Sequence, residues 1–204
     1  MDQPGRRTIL TAAISTAAAA IVATGTAGAT GGAHHRSLSG YAPEAGSTLV
    51  TDLRLTPSSP QLAACMPGAR LKVTNVSTTE KLGFDKFKIR ARDLPPDRDY
   101  TVFLLEQAGA PFGAAQYLGD FTTNKNGNAD NTFKAIVDEA FASTIVNGQR
   151  VRVDLNQVGV WFADPAADDF CLGAGQGPVT PFDGDDEAGI QAFNSASTSP
   201  LPAP

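Results

Sequence analysis

The stretch FDKFKIRAR, residues 84–92, narrows most sharply what this chain can fold into. Phe87, Ile89 and Ala91 alternate with Lys86, Lys88, Arg90 and Arg92. Successive side chains of a strand point to opposite faces, so an extended backbone gives one apolar face and one basic face. Wound as a helix, the same residues would scatter both kinds around the axis. The next segment is DLPPDRD, where Pro95 and Pro96 have no N–H to donate and end the strand. YTVFLLE, residues 100–106, then resumes an extended pattern, as does QVGVWFA at 157–163. Both runs are apolar at consecutive positions. They are expected to be central strands, with Trp161 internal and packed against YTVFLL, covered on the second face by a loop, a helix or a partner.

Shorter signals fill the intervals. TLVTDLRLT, RLKVTNV and QRVRVDLN alternate or are rich in β-branched residues, as strands require. Asn126-Gly127 sits between two strand-like arms and predicts a hairpin turn. The surrounding NKNGNAD lacks the acid at every second residue and the closing Glu of a calcium loop. Val137, Phe141 and Ile145 recur every four residues, with Asp138 and Glu139 near the start, which predicts one short helix over 137–145. With 20 Gly and 14 Pro, turns should be frequent and long helices rare. The expected fold is all-β: an antiparallel Ig/fibronectin-like β-sandwich with one short helix and a long acidic C-terminal loop.

The chain divides into four parts. Arg6 and Arg7 precede an uncharged, Ala-rich run that ends in Ala27-Gly28-Ala29, the small-x-small form of a signal-peptidase site. Residues 1–29 therefore read as a signal peptide and the mature protein as secreted. GRRTILT fits the general secretory route and the twin-arginine route alike. Residues 30–46 read as a flexible linker, 47–194 as the β-sandwich domain, and 195–204 as a disordered tail. In an oxidising compartment Cys65 and Cys171 are expected to bond, although two buried thiols would also satisfy the sequence.

Residue counts exclude several chemistries. The two histidines, His34 and His35, both fall in the linker. That leaves the domain no imidazole for a Ser-His-Asp triad, a Cys-His pair or a histidine zinc site. The linker pair suits weak copper or nickel binding, or simply solvation. With 16 Lys and Arg against 21 Asp and Glu, net charge −5, no positive patch for nucleic acid is expected. No catalytic residue and no required cofactor is assigned, and no membrane contact is expected after signal cleavage.

Two acidic clusters remain, in WFADPAADDFC (161–171) and PFDGDDEAG (181–189). In one reading Asp164, Asp168, Asp169, Asp183 and Asp185 converge on a calcium ion, because hard cations take carboxylate and carbonyl oxygens from irregular backbone. In another they stay apart as a solvated surface. A third reading is a small carboxylate-dependent hydrolase acting on extracellular polysaccharide. It would use Asp164, Asp168, Asp183 or Asp185, with Trp161, Phe162 or Phe182 as stacking partners for a sugar ring. The preferred function is a secreted, non-catalytic module in an extracellular binding or structural role, with a polymer or protein ligand.

The arrangement DLPPDRDYTVFLLE…YLGDFTTNKNGNA, with WFADPAADDFC and PFDGDDEAG behind it, resembles secreted bacterial β-sandwich domains of no assigned activity. The Ala-rich leader is similar in style to those of actinobacteria. The resemblance covers roughly residues 70–194, implies a sandwich fold, and carries no catalytic residue.

Overall fold

A computed structural model describes residues 48–181, 186–198 and 200–201. The leader, the linker with His34 and His35, and Phe182, Asp183, Gly184 and Asp185 lie outside the described residues. In chain order the strands are β1 (Val50–Pro57), β2 (Arg70–Val76), β3 (Asp85–Arg92), β4 (Asp99–Leu105) and β5 (Ala115–Thr122). They continue as β6 (Ala129–Ala135), β7 (Phe141–Val146), β8 (Gln149–Asp154), β9 (Gln157–Phe162) and β10 (Gln191–Asn194). Helical structure among the described residues is confined to α1 (Pro60–Cys65), α2 (Thr79–Leu82), α3 (Asp169–Leu172) and one 3-10 turn at Pro165–Asp168. The fold is all-β, and each strand pairing is antiparallel.

Eight strands form one sheet in the order β5-β4-β9-β10-β1-β2-β3-β6, and β7-β8 form a separate hairpin. Strand β1 joins the two halves. Its Val50–Leu55 segment pairs with β2, and its end turns to β10 through Thr56↔Asn194 and Pro57↔Phe193. The outer strands β5 and β6 also approach each other: the Asn131 amide donates to the Asp120 carbonyl at 2.9 Å. Gly119 makes that approach possible, since a Cβ there would lie 2.7 Å from the Phe133 ring at a φ of +143°. The sheet is therefore nearly barrel-like, with its two halves facing one apolar interior.

That interior follows from the alternation. Leu71, Val73, Phe87, Ile89 and Ala91 point inward from one half; Tyr100, Val102, Leu104, Val158, Val160 and Phe162 point inward from the other. The Tyr100 ring lies 5.1 Å from Phe121 and 5.2 Å from Phe162. Strands β4 and β9 pair along their length, from Tyr100↔Phe162 to Leu105↔Gln157, and are buried on both faces as their composition requires. On the outer face Phe103, Leu105, Trp161 and Ala188 form a second cluster, with Phe112 packed against it. Trp161 is 4% exposed, so it is a core residue and not an open stacking platform. Its ring sits over Gly159, where a Cβ would meet the indole at 2.4 Å.

Cys65 and Cys171 are bonded, with Cα atoms 5.6 Å apart. The bond joins α1 to α3. Ser59 caps α1 by accepting from the Leu62 N–H at 3.2 Å, and Leu62 anchors that helix in the core. In the chain-entropy account a loop of 106 residues contributes about 4–5 kcal/mol by restricting the unfolded chain.

Three expectations need correction. The helix over 137–145 is absent: residues 141–146 are β7. Its four-residue period does not mark one inward face, because Val137 is buried whereas Phe141 and Ile145 are 54% and 64% exposed. The β-branched Thr144, Ile145 and Val146 suit a strand, and Asn147 (φ +50°) with Gly148 (φ +78°) supplies the two-residue turn into β8. Second, Asn126-Gly127 does not close a paired hairpin. It turns the chain from β5, which pairs with β4, to β6, which pairs with β3. Third, packing continues beyond residue 194, where the sequence reading ended the domain. Ser195 is buried and donates to the Gln157 side chain at 2.7 Å, and Leu201 is buried in the core and donates its N–H to the Asn156 carbonyl.

The two Asn-Gly turns make different predictions. A Cβ on Gly127 would lie 1.9 Å from the Leu94 carbonyl oxygen, whereas nothing lies within 4 Å of one on Gly148. Gly148→Ala should therefore cost only the left-handed backbone penalty of about 1–2 kcal/mol. Gly127→Ala adds a backbone clash and should cost at least about 2 kcal/mol more. Urea unfolding of both variants checks the order; equal losses would contradict it.

Candidate functional site

Asp164 ends the β9 segment and caps the turn that follows, accepting from the Ala166 N–H at 2.8 Å with Pro165 in the first position. Its carbonyl accepts from Ala167. This short turn sends the next two acids in different directions. Asp168 turns inward, has no exposed surface, and accepts from the Ile190 N–H at 3.0 Å. Two glycines make room for its carboxylate: a Cβ on Gly177 would lie 2.3 Å from one oxygen, and one on Gly189 would lie 3.1 Å from the other. Asp169 accepts from the Gly175 N–H at 2.8 Å.

The cluster expected to bind calcium is thus divided. Asp164 faces a cleft, Asp168 is a buried tie between the turn and the segment leading to β10, and Asp169 braces the 173–175 turn. Asp183 and Asp185 lie outside the described residues. Among the described residues no group of three or more His, Cys, Asp or Glu is placed to hold a metal ion.

The cleft beside Asp164 has a volume of about 340 Å³ and is lined by Asp99, Asp120, Ala163, Asp164, Pro165, Asp186 and Glu187. The sheet register builds it. Asp99 opens β4 opposite Thr122, and Asp120 lies on β5 opposite Thr101, so the two carboxylates are diagonal neighbours on one face. The Asp99 carbonyl accepts from the Ala163 N–H at 3.0 Å, which brings Asp164 alongside them. The cleft carboxylates with named partners are held by neutral donors. Thr122 donates to Asp99, the Tyr117 hydroxyl donates to Asp120 at 2.7 Å, and a backbone N–H serves Asp164. Hydrogen bonds from neutral groups position these oxygens without cancelling their charge, so the cleft suits a cation or an amine. Sequence reasoning did not find Asp99 and Asp120. Their only signal was the pairing register, which two acids 21 positions apart do not announce.

A second buried carboxylate, Asp85, also escaped the sequence reading. It accepts from the N–H groups of Thr78, Thr79, Val137 and Asp138 at 2.7–3.1 Å and has no exposed surface. It closes one end of the interior and is structural.

No family model, no curated protein and no solved structure matches the chain. The resemblance to secreted bacterial domains transfers no site residue, and the site rests on the geometry above.

Burial, partly offset by the Ile190 N–H and reinforced by the charges of Asp169 and Asp164, pushes the Asp168 carboxyl above the usual range. A raised carboxyl favours the fold most below the unfolded value near 3.8, and that contribution is lost as pH rises through the folded pKa. Asp168→Asn removes the titration. The melting temperature of this variant relative to the original protein should therefore become more favourable between about pH 4 and about pH 7. A difference that stays constant across that range would show that Asp168 does not titrate there.

Proposed function

We propose that this protein is a secreted, non-catalytic β-sandwich module of the Ig/fibronectin-like kind, with an extracellular binding or structural role and an acidic cleft that attracts calcium from solvent without a set of three ligands among the described residues. The observation that carries the reading is the convergence of Asp99, Asp120 and Asp164 from three separate parts of the chain on one open cleft. The bonded cysteine pair is compatible with an oxidising compartment. Among the described residues no helix is long and apolar enough to cross a membrane. Two four-stranded halves over a common core support the sandwich assignment. The ligand is a polymer or a protein, and nucleic acid and membrane are not among the expected partners.

Protein recovered from culture supernatant should begin near Thr30 by N-terminal mass spectrometry, and an intact Met1 would overturn export. Incubated with cell-wall and plant polysaccharides, it should leave every polymer at its original length. Shortened chains would support the carboxylate-dependent hydrolase instead. If calcium occupies the cleft, the melting temperature rises with free calcium by linkage. Asp99→Asn with Asp164→Asn should abolish that rise. Identical melting in millimolar calcium and in excess chelator would leave these acids without a resident ion.

A further inference from the structure

The outward face of β1, β2, β3 and β6 carries Arg54, Arg70, Lys72, Lys86, Lys88, Arg90, Arg92 and Lys134, half of the 16 Lys and Arg in the chain. Only Asp52 and Asp130 share it as acids. The register sets cations directly opposite one another: Arg54↔Lys72↔Arg90 across three strands, Arg70↔Arg92, and Lys86↔Lys134. Like charges opposed across a ladder destabilise a sheet. Asp52 relieves Lys72 at 2.9 Å, and Asp130 relieves Arg90 and Arg92 at 3.1 and 2.8 Å. Among the described residues Arg54, Arg70, Lys86 and Lys88 have no ion pair, and Lys134 rests over the Phe84 ring.

We infer that this face docks a linear polymer carrying one phosphate per repeat. The inference rests on the reading of the protein as an extracellular binding module and names its partner. Charge complementarity carries it: a cluster of opposed cations in an acidic protein is relieved by an anion that reaches two of them at once. A carboxylate is filled by two cations, as Asp130 is by Arg90 and Arg92, whereas a phosphate presents oxygens in more than one plane and can engage a cross-strand pair and a cation along the strand together. Cations lie about 5 Å apart across strands and about 7 Å apart along them, a spacing a flexible charged chain can follow. The outward residues of these four strands include no aromatic ring, and Phe84, which precedes β3, is covered by Lys134, so the strands offer no open stacking platform. That absence disfavours both neutral polysaccharide and single-stranded nucleic acid.

The test is binding of linear polyphosphate to the full mature protein, measured by fluorescence anisotropy from about 50 mM to about 200 mM salt. The comparison variant combines Arg54→Gln, Arg70→Gln, Lys86→Gln and Lys88→Gln, which touches no ion pair and removes one member of three opposed pairs, so its melting temperature should be no lower than that of the original protein. It should lose at least tenfold in affinity. The slope of log affinity against log salt should become shallower by about 3, at roughly 0.7 for each lost contact. Arg150→Gln with Arg152→Gln, on the separate hairpin, should bind as the original protein does. The inference is overturned if the original protein does not bind polyphosphate. It is also overturned if the fourfold variant binds equally well, or if polygalacturonate, heparin, duplex DNA or vesicles with anionic lipid bind as tightly as polyphosphate. None of these outcomes bears on export or on polymer cleavage, which the tests of the module itself decide.

Discussion

Strands β4 and β9 lie side by side with no wet face, and each face needs its own cover. On the inner side the cover is the opposite half of the sheet, which brings Leu71, Val73, Phe87 and Ile89 against Tyr100, Val102, Val160 and Phe162. On the outer side it is local chain. Phe112 reaches Trp161 from the loop after β4, and Ala188 reaches it from the segment before β10. The Gln191 side chain donates to the Ala108 carbonyl at 3.0 Å and ties those two covers together. Burying an indole and its neighbouring rings contributes a few kcal/mol of apolar transfer. Without the outer cover, β4 and β9 would expose an aromatic stripe. The connection at 106–114 and the described parts of the later one, 163–181 and 186–190, are thus part of the core's construction.

Those connections also place the charge. The segment after β9 must turn sharply to bring its chain back over Trp161 as β10 approaches. Asp164 caps that turn, Asp168 ties it to Ile190, and the Cys65–Cys171 bond fastens the next turn to α1. The acidic cleft is the outer edge of the same turn. The basic face belongs to the other half of the sheet, where one side of β3 must be apolar and the alternation leaves the other free for Lys and Arg. Charges more than a Debye length apart, about 8 Å at physiological salt, are largely screened from each other. A net charge of −5 therefore averages over two surfaces of opposite sign and describes neither.

What could be read in the sequence was what strict periodicity or covalent chemistry dictates. The alternation in FDKFKIRAR, the unbroken apolar runs of β4 and β9, and the Cys65–Cys171 pair depend on few alternatives. The basic face was legible on FDKFKIRAR, but net charge gave no sign that it extends across β1, β2 and β6. Opposed cations appear only once register is known. The 137–145 segment has helical spacing, yet Val137 is buried while Phe141 and Ile145 face outward, so the period did not mark one inward face. Asn126-Gly127 and Asn147-Gly148 are the same dipeptide. Only contact with the Leu94 carbonyl distinguishes a crossover turn from a hairpin, and that contact comes from a segment 30 residues away. The cleft was half legible for the same reason: Asp164 stood out in an acidic run, while Asp99 and Asp120 lie singly on paired strands.

Two neighbouring carboxyls, Asp85 buried and Asp138 half-buried, titrate in opposite directions, and donor supply explains the difference. Burial raises Asp85, but the Thr79 side chain and the N–H groups of Val137, Asp138 and Thr78 outweigh it and hold the carboxyl below the usual range. Burial also raises Asp138, the nearby Asp85 charge adds to it, and the Asn75 amide at 2.6 Å offsets only part, so the net shift is upward. The signs then follow from linkage. Asp85 favours the fold above the unfolded value near 3.8 and loses that contribution as pH falls through its folded pKa. Asp138 favours the fold below the unfolded value and loses that contribution as pH rises through its own folded pKa. The Asp85 N–H bonds join α2 to the start of the 137–140 turn, so the end of the interior is closed by a carboxylate that must stay ionised beside one that resists ionisation. The fold tolerates this pair because its anion satisfies backbone donors from two loops at once, which a neutral residue of the same size could not do.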